Sequence, residues 1–128
     1  MKKIILFVLL FPFANFYSQQ WETMDIHDSD NTVYSYKLNS SNTAWVKEAR
    51  DKIKYYKNGK WNYTKGHAMV LYRFDCTGKK IGVMQVAVYG GSNNLVNNPS
   101  LEDYPQMDYV IPDSIAEGLL EYFCTNRN

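Results

Sequence analysis

Charge of one sign is missing from this sequence. Its 128 residues hold 14 Lys and Arg against 13 Asp and Glu, a formal net charge of +1. A dedicated nucleic-acid binder is usually strongly basic, so that class is set aside. Metal-ligand spacing is missing too. His27 and His67 stand far apart, with no helical or cysteine partner at ligating spacing. Asp25, Asp28 and Asp30 cluster, but a calcium loop starting at Asp28 needs Gly at 33 and Glu at 39, where the chain has Val33 and Asn39. Glu102 and Asp103 are adjacent, which turns their side chains apart in an extended segment and leaves no glycosidase pair. Gly90-Gly91 has none of the rest of a phosphate loop. No apolar run after the first twenty residues is long enough to cross a bilayer, which takes about 20 residues. These absences point away from an enzyme, a metal and a cofactor.

What is present begins with the first twenty residues. Lys2 and Lys3 precede an apolar run, Ile4 to Phe13, interrupted only by Pro12, and polar residues begin at Asn15. A basic start, a short apolar core and a polar exit read as a signal peptide over residues 1–19, with cleavage near 18–20. A buried N-terminal helix or an uncleaved anchor is the alternative. No cysteine lies near the cut, so lipid attachment there is excluded. The expectation is one exported domain, 20–128, in the periplasm, at the cell surface or in the medium.

Without Lys2 and Lys3 the chain has 12 basic and 13 acidic side chains, net −1, unevenly spread. Residues 47–80 carry net +7, residues 21–46 net −3 and residues 81–128 net −5. The basic block is either a ligand surface or a solvated face that pairs with the acidic ends of the same molecule. Export also gives the two cysteines a context. In an oxidising compartment an even count reads as a disulfide, and two cysteines allow one intramolecular pair, Cys76–Cys124. A free thiol is the alternative.

Sixteen per cent aromatics, with 11 Tyr and 3 Trp, favour strands. VYSYKL at 33–38 alternates with period two, and residues 43–50 read as a further strand or a helical turn. Asn58-Gly59 centres a hairpin over 52–65, because both turn positions need positive φ. That turn sets Tyr56 opposite Trp61, Lys54 opposite Tyr63 and Lys52 opposite Lys65. Strands over 67–76 and 80–89 are joined by Thr77-Gly78-Lys79 and are expected at the sheet centre, the second buried on both faces. Residues 90–104 form a loop that is either mobile or ligand-binding. A short strand, 107–111, ends at Pro112. Ser114 and Glu117 then form a capping box for a helix from Ile115 to about Phe123. Its stripe of Ile115, Leu119, Tyr122 and Phe123 must be covered, and the sheet is the available partner.

In order, Trp21, VYSYKL, Trp45, YRFDC at 72–76, KKIGVMQVAVY at 79–89, VIPDS at 110–114, IAEGLLEYF at 115–123 and Cys124 resemble the bacterial surface-adhesin protein E family. The resemblance covers most of the chain after residue 20. It implies an α+β fold: one antiparallel sheet of about six strands, with the C-terminal helix packed on it and tied by the disulfide. It also implies an exported non-enzymatic binding protein, with matrix or serum proteins such as vitronectin, laminin and plasminogen as partners, and self-association to a homodimer. The chain departs from lipid-anchored members in lacking an N-terminal cysteine.

The candidate ligand-binding residues lie in the basic aromatic hairpin: Lys54, Tyr56, Lys57, Lys60, Trp61, Tyr63 and Lys65. Lysines beside Tyr and Trp suit acidic polysaccharide or an acidic protein patch, and export argues against nucleic acid. Otherwise the rings pack on the domain and the lysines protect a sheet edge. The second functional reading is a periplasmic structural or assembly protein acting through a sheet edge or through self-association.

Overall fold

Period-two alternation and tight turns leave the chain little choice but to fold back on itself repeatedly. The computed structural model describes residues 20–127. In it β1 (Glu22–Thr23), β2 (Val33–Leu38), β3 (Thr43–Lys57), β4 (Lys60–Asp75), β5 (Lys80–Gly90) and β6 (Asp108–Tyr109) form one antiparallel sheet in chain order. A single helix, α1 (Ile115–Asn126), follows. The expected signal peptide, residues 1–19, lies outside the described residues.

The central hairpin differs from expectation. The strand at 43–50, the hairpin at 52–65 and the strand at 67–76 are parts of two continuous strands of 15 and 16 residues. Asn58 and Gly59 turn it, with φ of 53° and 79°. Tyr56 faces Trp61 and Lys54 faces Tyr63, but Lys52 is not matched one-to-one with Lys65. β3 carries an extra residue between Arg50 and Ile53, so Asp51 and Lys52 together span the single step at Lys65. β3 and β4, not β4 and β5, occupy the sheet centre. A second bulge, at Met84, shifts β5, and Val83 and Val86 are 46% and 38% exposed rather than buried. β6 is also shorter than the 107–111 expected.

The helix covers one face of the sheet. Leu119, Leu120 and Phe123 are buried against Met24, Tyr34, Tyr36, Ala44, Val46 and Phe74. Phe123 is fully buried and stacks on Phe74 at 4.3 Å between ring centroids. Burial of such a side chain is worth roughly 1.5–3 kcal/mol. Ser114 caps the helix by accepting the Glu117 amide at 3.2 Å. Glu117 reaches back to the amide of Asp113, not to that of Ser114, which is already donated to the Ile111 carbonyl. Cys124 near the helix end is disulfide-bonded to Cys76 just past β4. The bridge closes a loop with a sequence separation of 48 and ties the helix to the sheet.

The segment after β5 is laid along that strand's outer edge. Val96 donates to the Val88 carbonyl and Glu102 to the Met84 carbonyl. Between them the Asn97 side chain accepts from Val88 N–H and donates to the Val86 carbonyl, replacing a neighbouring strand. Gly82 lies beneath this segment, and a β-carbon there would press on Met107 and Pro105. On the opposite edge β1 pairs with β2, and Met24 donates to the Tyr34 carbonyl.

Candidate ligand-binding face

β2 accompanies β3 only as far as Ala49, and β5 meets β4 only from Gly66 onward. The hairpin between them therefore projects beyond its neighbours as a two-stranded ribbon. At about 3.4 Å per residue, the stretch from Gly66 to the turn reaches roughly 24 Å. Its base is held by Ile53, buried among Ala68, Val70 and Val88 with Val96 against them. Gly66 is required at this exit, because any β-carbon would collide with the Tyr89 carbonyl.

Directly opposed residues in adjacent strands share a face. Ile53, Thr64, Ala68, Val70, Tyr72 and Phe74 accordingly fall on the helix side. Five of the seven candidate residues, Lys54, Tyr56, Trp61, Tyr63 and Lys65, come together on the side away from the helix. Lys57 and Lys60 oppose one another across the turn on the ribbon's other side and are exposed. Tyr56, Trp61 and Tyr63 remain 56–59% exposed, so the rings are not packed into the domain. They hold lysines instead. The Lys54 ammonium lies 4.5 Å from the Trp61 centroid and that of Lys52 4.4 Å from the Tyr63 centroid. Tyr56 meets Trp61 edge-on at 5.2 Å.

The same face continues over the body of the sheet, which sequence reasoning did not join to the ribbon. The register carries it through His67, Met69, Leu71 and Arg73 on β4, Lys47 and Trp45 on β3, and Lys37 on β2. Lys37 and Lys47 both stand over the Trp21 ring, at 5.9 and 5.6 Å. Residue parity along β4 runs unbroken from Trp61 to Arg73, but on β3 the extra residue near Asp51 reverses it, so parity alone would not have joined Lys47 to Lys54.

Three carboxylates on the helix side accept from tyrosines, and one of them, Glu48, is also paired with Arg50 at 2.7 Å. The hydroxyls of Tyr34, Tyr72 and Tyr122 donate to Asp28, Glu48 and Glu22 at 2.9, 3.1 and 2.8 Å. Burial, reinforced by the bond to Asp28, pushes the Tyr34 hydroxyl up to about 12. Burial and then the neighbouring Glu48 push Tyr72 up further. Among the described residues no carboxylate of 21–46 or 81–128 forms an ion pair with a lysine. Among the described residues Lys65, with Asp51 at 3.6 Å, is the one lysine in an ion pair.

Asp28, one of the acidic cluster that lacks a calcium loop, organises the 28–34 turn. It accepts from the amides of Asp30 and Thr32, each at 3.0 Å, and from Tyr34. These bonds, the Thr32 amide first, hold its carboxyl down to about 2.

Where the ribbon leaves the sheet there is an open cleft of about 440 Å³, lined in part by Asp30, Lys47, Arg50, Asp51, Lys65 and His67. His67 stacks on Tyr89 at 4.9 Å. Burial, and then the charge of Lys47, lowers its pKa below the ordinary imidazole value. His67 stands in the middle of β4, nine residues from Cys76 just past its end, and Cys76 is bonded to Cys124, so the thiol alternative does not arise.

Comparison with models of known families, with curated proteins and with solved structures finds no match. Among the described residues no helix is long and apolar enough to cross a membrane.

Proposed function

We propose that this chain is an exported, non-enzymatic binding module of the surface-adhesin E kind, whose ribbon engages acidic patches on extracellular matrix or serum proteins. One observation carries the reading. The ribbon stands clear of the sheet and presents Lys52 and Lys54 over exposed aromatic rings, and among the described residues Lys65 is the one ribbon lysine that meets a carboxylate, that of Asp51. A lysine fixed by a ring loses less freedom on binding than one waving in solvent, so it favours association as well as attracting an anion. The projecting geometry lets a large partner approach without meeting the rest of the domain.

Simultaneous change of Lys54, Lys57, Lys60 and Lys65 to Glu tests it. Binding to immobilised vitronectin or laminin is expected to disappear while the folded spectrum persists. Unchanged binding by this variant would falsify the ribbon as the contact.

The second reading, assembly through a sheet edge, has a specific support. Among the described residues no strand pairs with the outer edge of β3 beyond Ala49 or with that of β4 before Gly66. Lysines along both strands oppose such pairing by mutual repulsion. Solution scattering separates the two: a strict monomer at high concentration removes the edge reading.

A further inference from the structure

The ribbon is one end of a longer surface. From Trp61 to Arg73 a single face of β4 runs about 40 Å at the usual rise of a strand. Along it, and on the neighbouring strands, stand Lys37, Lys47, Lys52, Lys54, Lys65 and Arg73. The acidic residues beside this face are Asp30 and Asp51 in the cleft, the second paired with Lys65, and Asp75, whose carboxylate is turned into the 75–78 turn to accept the Gly78 amide. All three tryptophans border it. Trp45 lies within it, Trp61 at its tip, and Trp21 lies under Lys37 and Lys47 at its corner.

We propose that the whole helix-free face is the docking surface of a linear sulfated or carboxylated polysaccharide, lying along the strands from the ribbon to the Trp21, Lys37 and Lys47 corner. This rests on the reading of the ribbon as a binding surface and names its ligand class. Charge complementarity selects a polyanion. The distribution of that charge selects a chain, because the cations are strung out over the length of the sheet. A patch on a globular protein would engage a compact region such as the ribbon, not cations spaced over the whole sheet. The rings select against single-stranded nucleic acid. Base stacking needs free aromatic faces, whereas Trp61, Tyr63 and Trp21 each already carry lysine ammonium groups. The surface therefore reads fixed anionic groups at intervals along a chain, with the rings acting as mounts for the ammoniums.

The experiment measures binding of the purified protein to heparin, to short heparin oligosaccharides, to neutral dextran and to a single-stranded oligonucleotide of charge similar to the heparin. Two variants split the face: Lys54→Gln with Lys65→Gln at the ribbon, and Lys37→Gln with Lys47→Gln at the corner. Each pair is expected to weaken binding of long heparin about tenfold, as a few exposed ion pairs would. The short oligosaccharides are expected to lose sensitivity to one pair. Lys37→Arg with Lys47→Arg keeps the charge and is expected to keep the binding, which separates charge from folding. Rising salt weakens all of it. Absence of heparin binding at low salt overturns the proposal, as does equal affinity for dextran or for the oligonucleotide. Full affinity in the corner pair also overturns it, since the site would then end at the ribbon. Vitronectin and laminin binding are measured alongside. If heparin binds and these proteins do not, the protein-ligand reading fails alone; if these proteins bind and heparin does not, the polysaccharide proposal fails alone.

Discussion

Lys54 passes over the Trp61 ring, 4.5 Å from its centroid, although its directly opposed partner in the sheet is Tyr63. Lys52 takes the Tyr63 ring instead. The two contacts repeat along the ribbon, each lysine engaging a ring across the hairpin. A double-mutant cycle of Lys54→Ala and Trp61→Ala, read by urea unfolding, is expected to show a coupling of roughly 0.5–1 kcal/mol. Strict additivity would mean that the ring does not hold the ammonium.

The bridge between Cys76 and Cys124 fastens the helix over the sheet face that buries Phe123. Replacing both cysteines by Ser is expected to cost about 2–4 kcal/mol, mainly by freeing the unfolded chain. Equilibrium denaturation of the variant and of the oxidised parent gives the difference. An unchanged midpoint would show that Leu119, Leu120 and Phe123 seat the helix without help.

Acid should release the turn built by Asp28. Its folded pKa, about 2, is below the ordinary aspartate value. The ionised form is thus favoured by folding, and its contribution is fully present above about pH 4 and is lost as pH falls towards 2. Unfolding measured across that window is expected to give a steeper loss for the parent than for Asp28→Asn. Parallel curves would assign the acid sensitivity to other groups.

Local signals carried much of the fold. The alternation of Tyr34, Tyr36 and Leu38, the positive φ demanded by Asn58-Gly59, and the Ser114 cap each act within a few residues, and each is where the sequence places it. The continuity of β3 and β4 was harder to see. Gly66 looks like a break but is a close-approach position within a strand, and the extra residue near Asp51 shifts the register without ending the pairing. The ribbon was visible because its lysines and rings are neighbours in sequence. The joining of Lys37, Lys47 and Trp21 to it depends on the alignment of three strands, which no local pattern records.

Asp28 and Glu22, held by tyrosines, lie beneath the sheet while Lys37, Lys47, Lys52 and Lys54 stand above it, so unlike charge leans to the two faces. Such a body experiences a torque in the field of an anionic surface before it touches it. It would arrive with its lysines already turned forward, so fewer collisions are wasted on the wrong side. Salt that shortens the reach of that field would slow arrival even where the final contact holds.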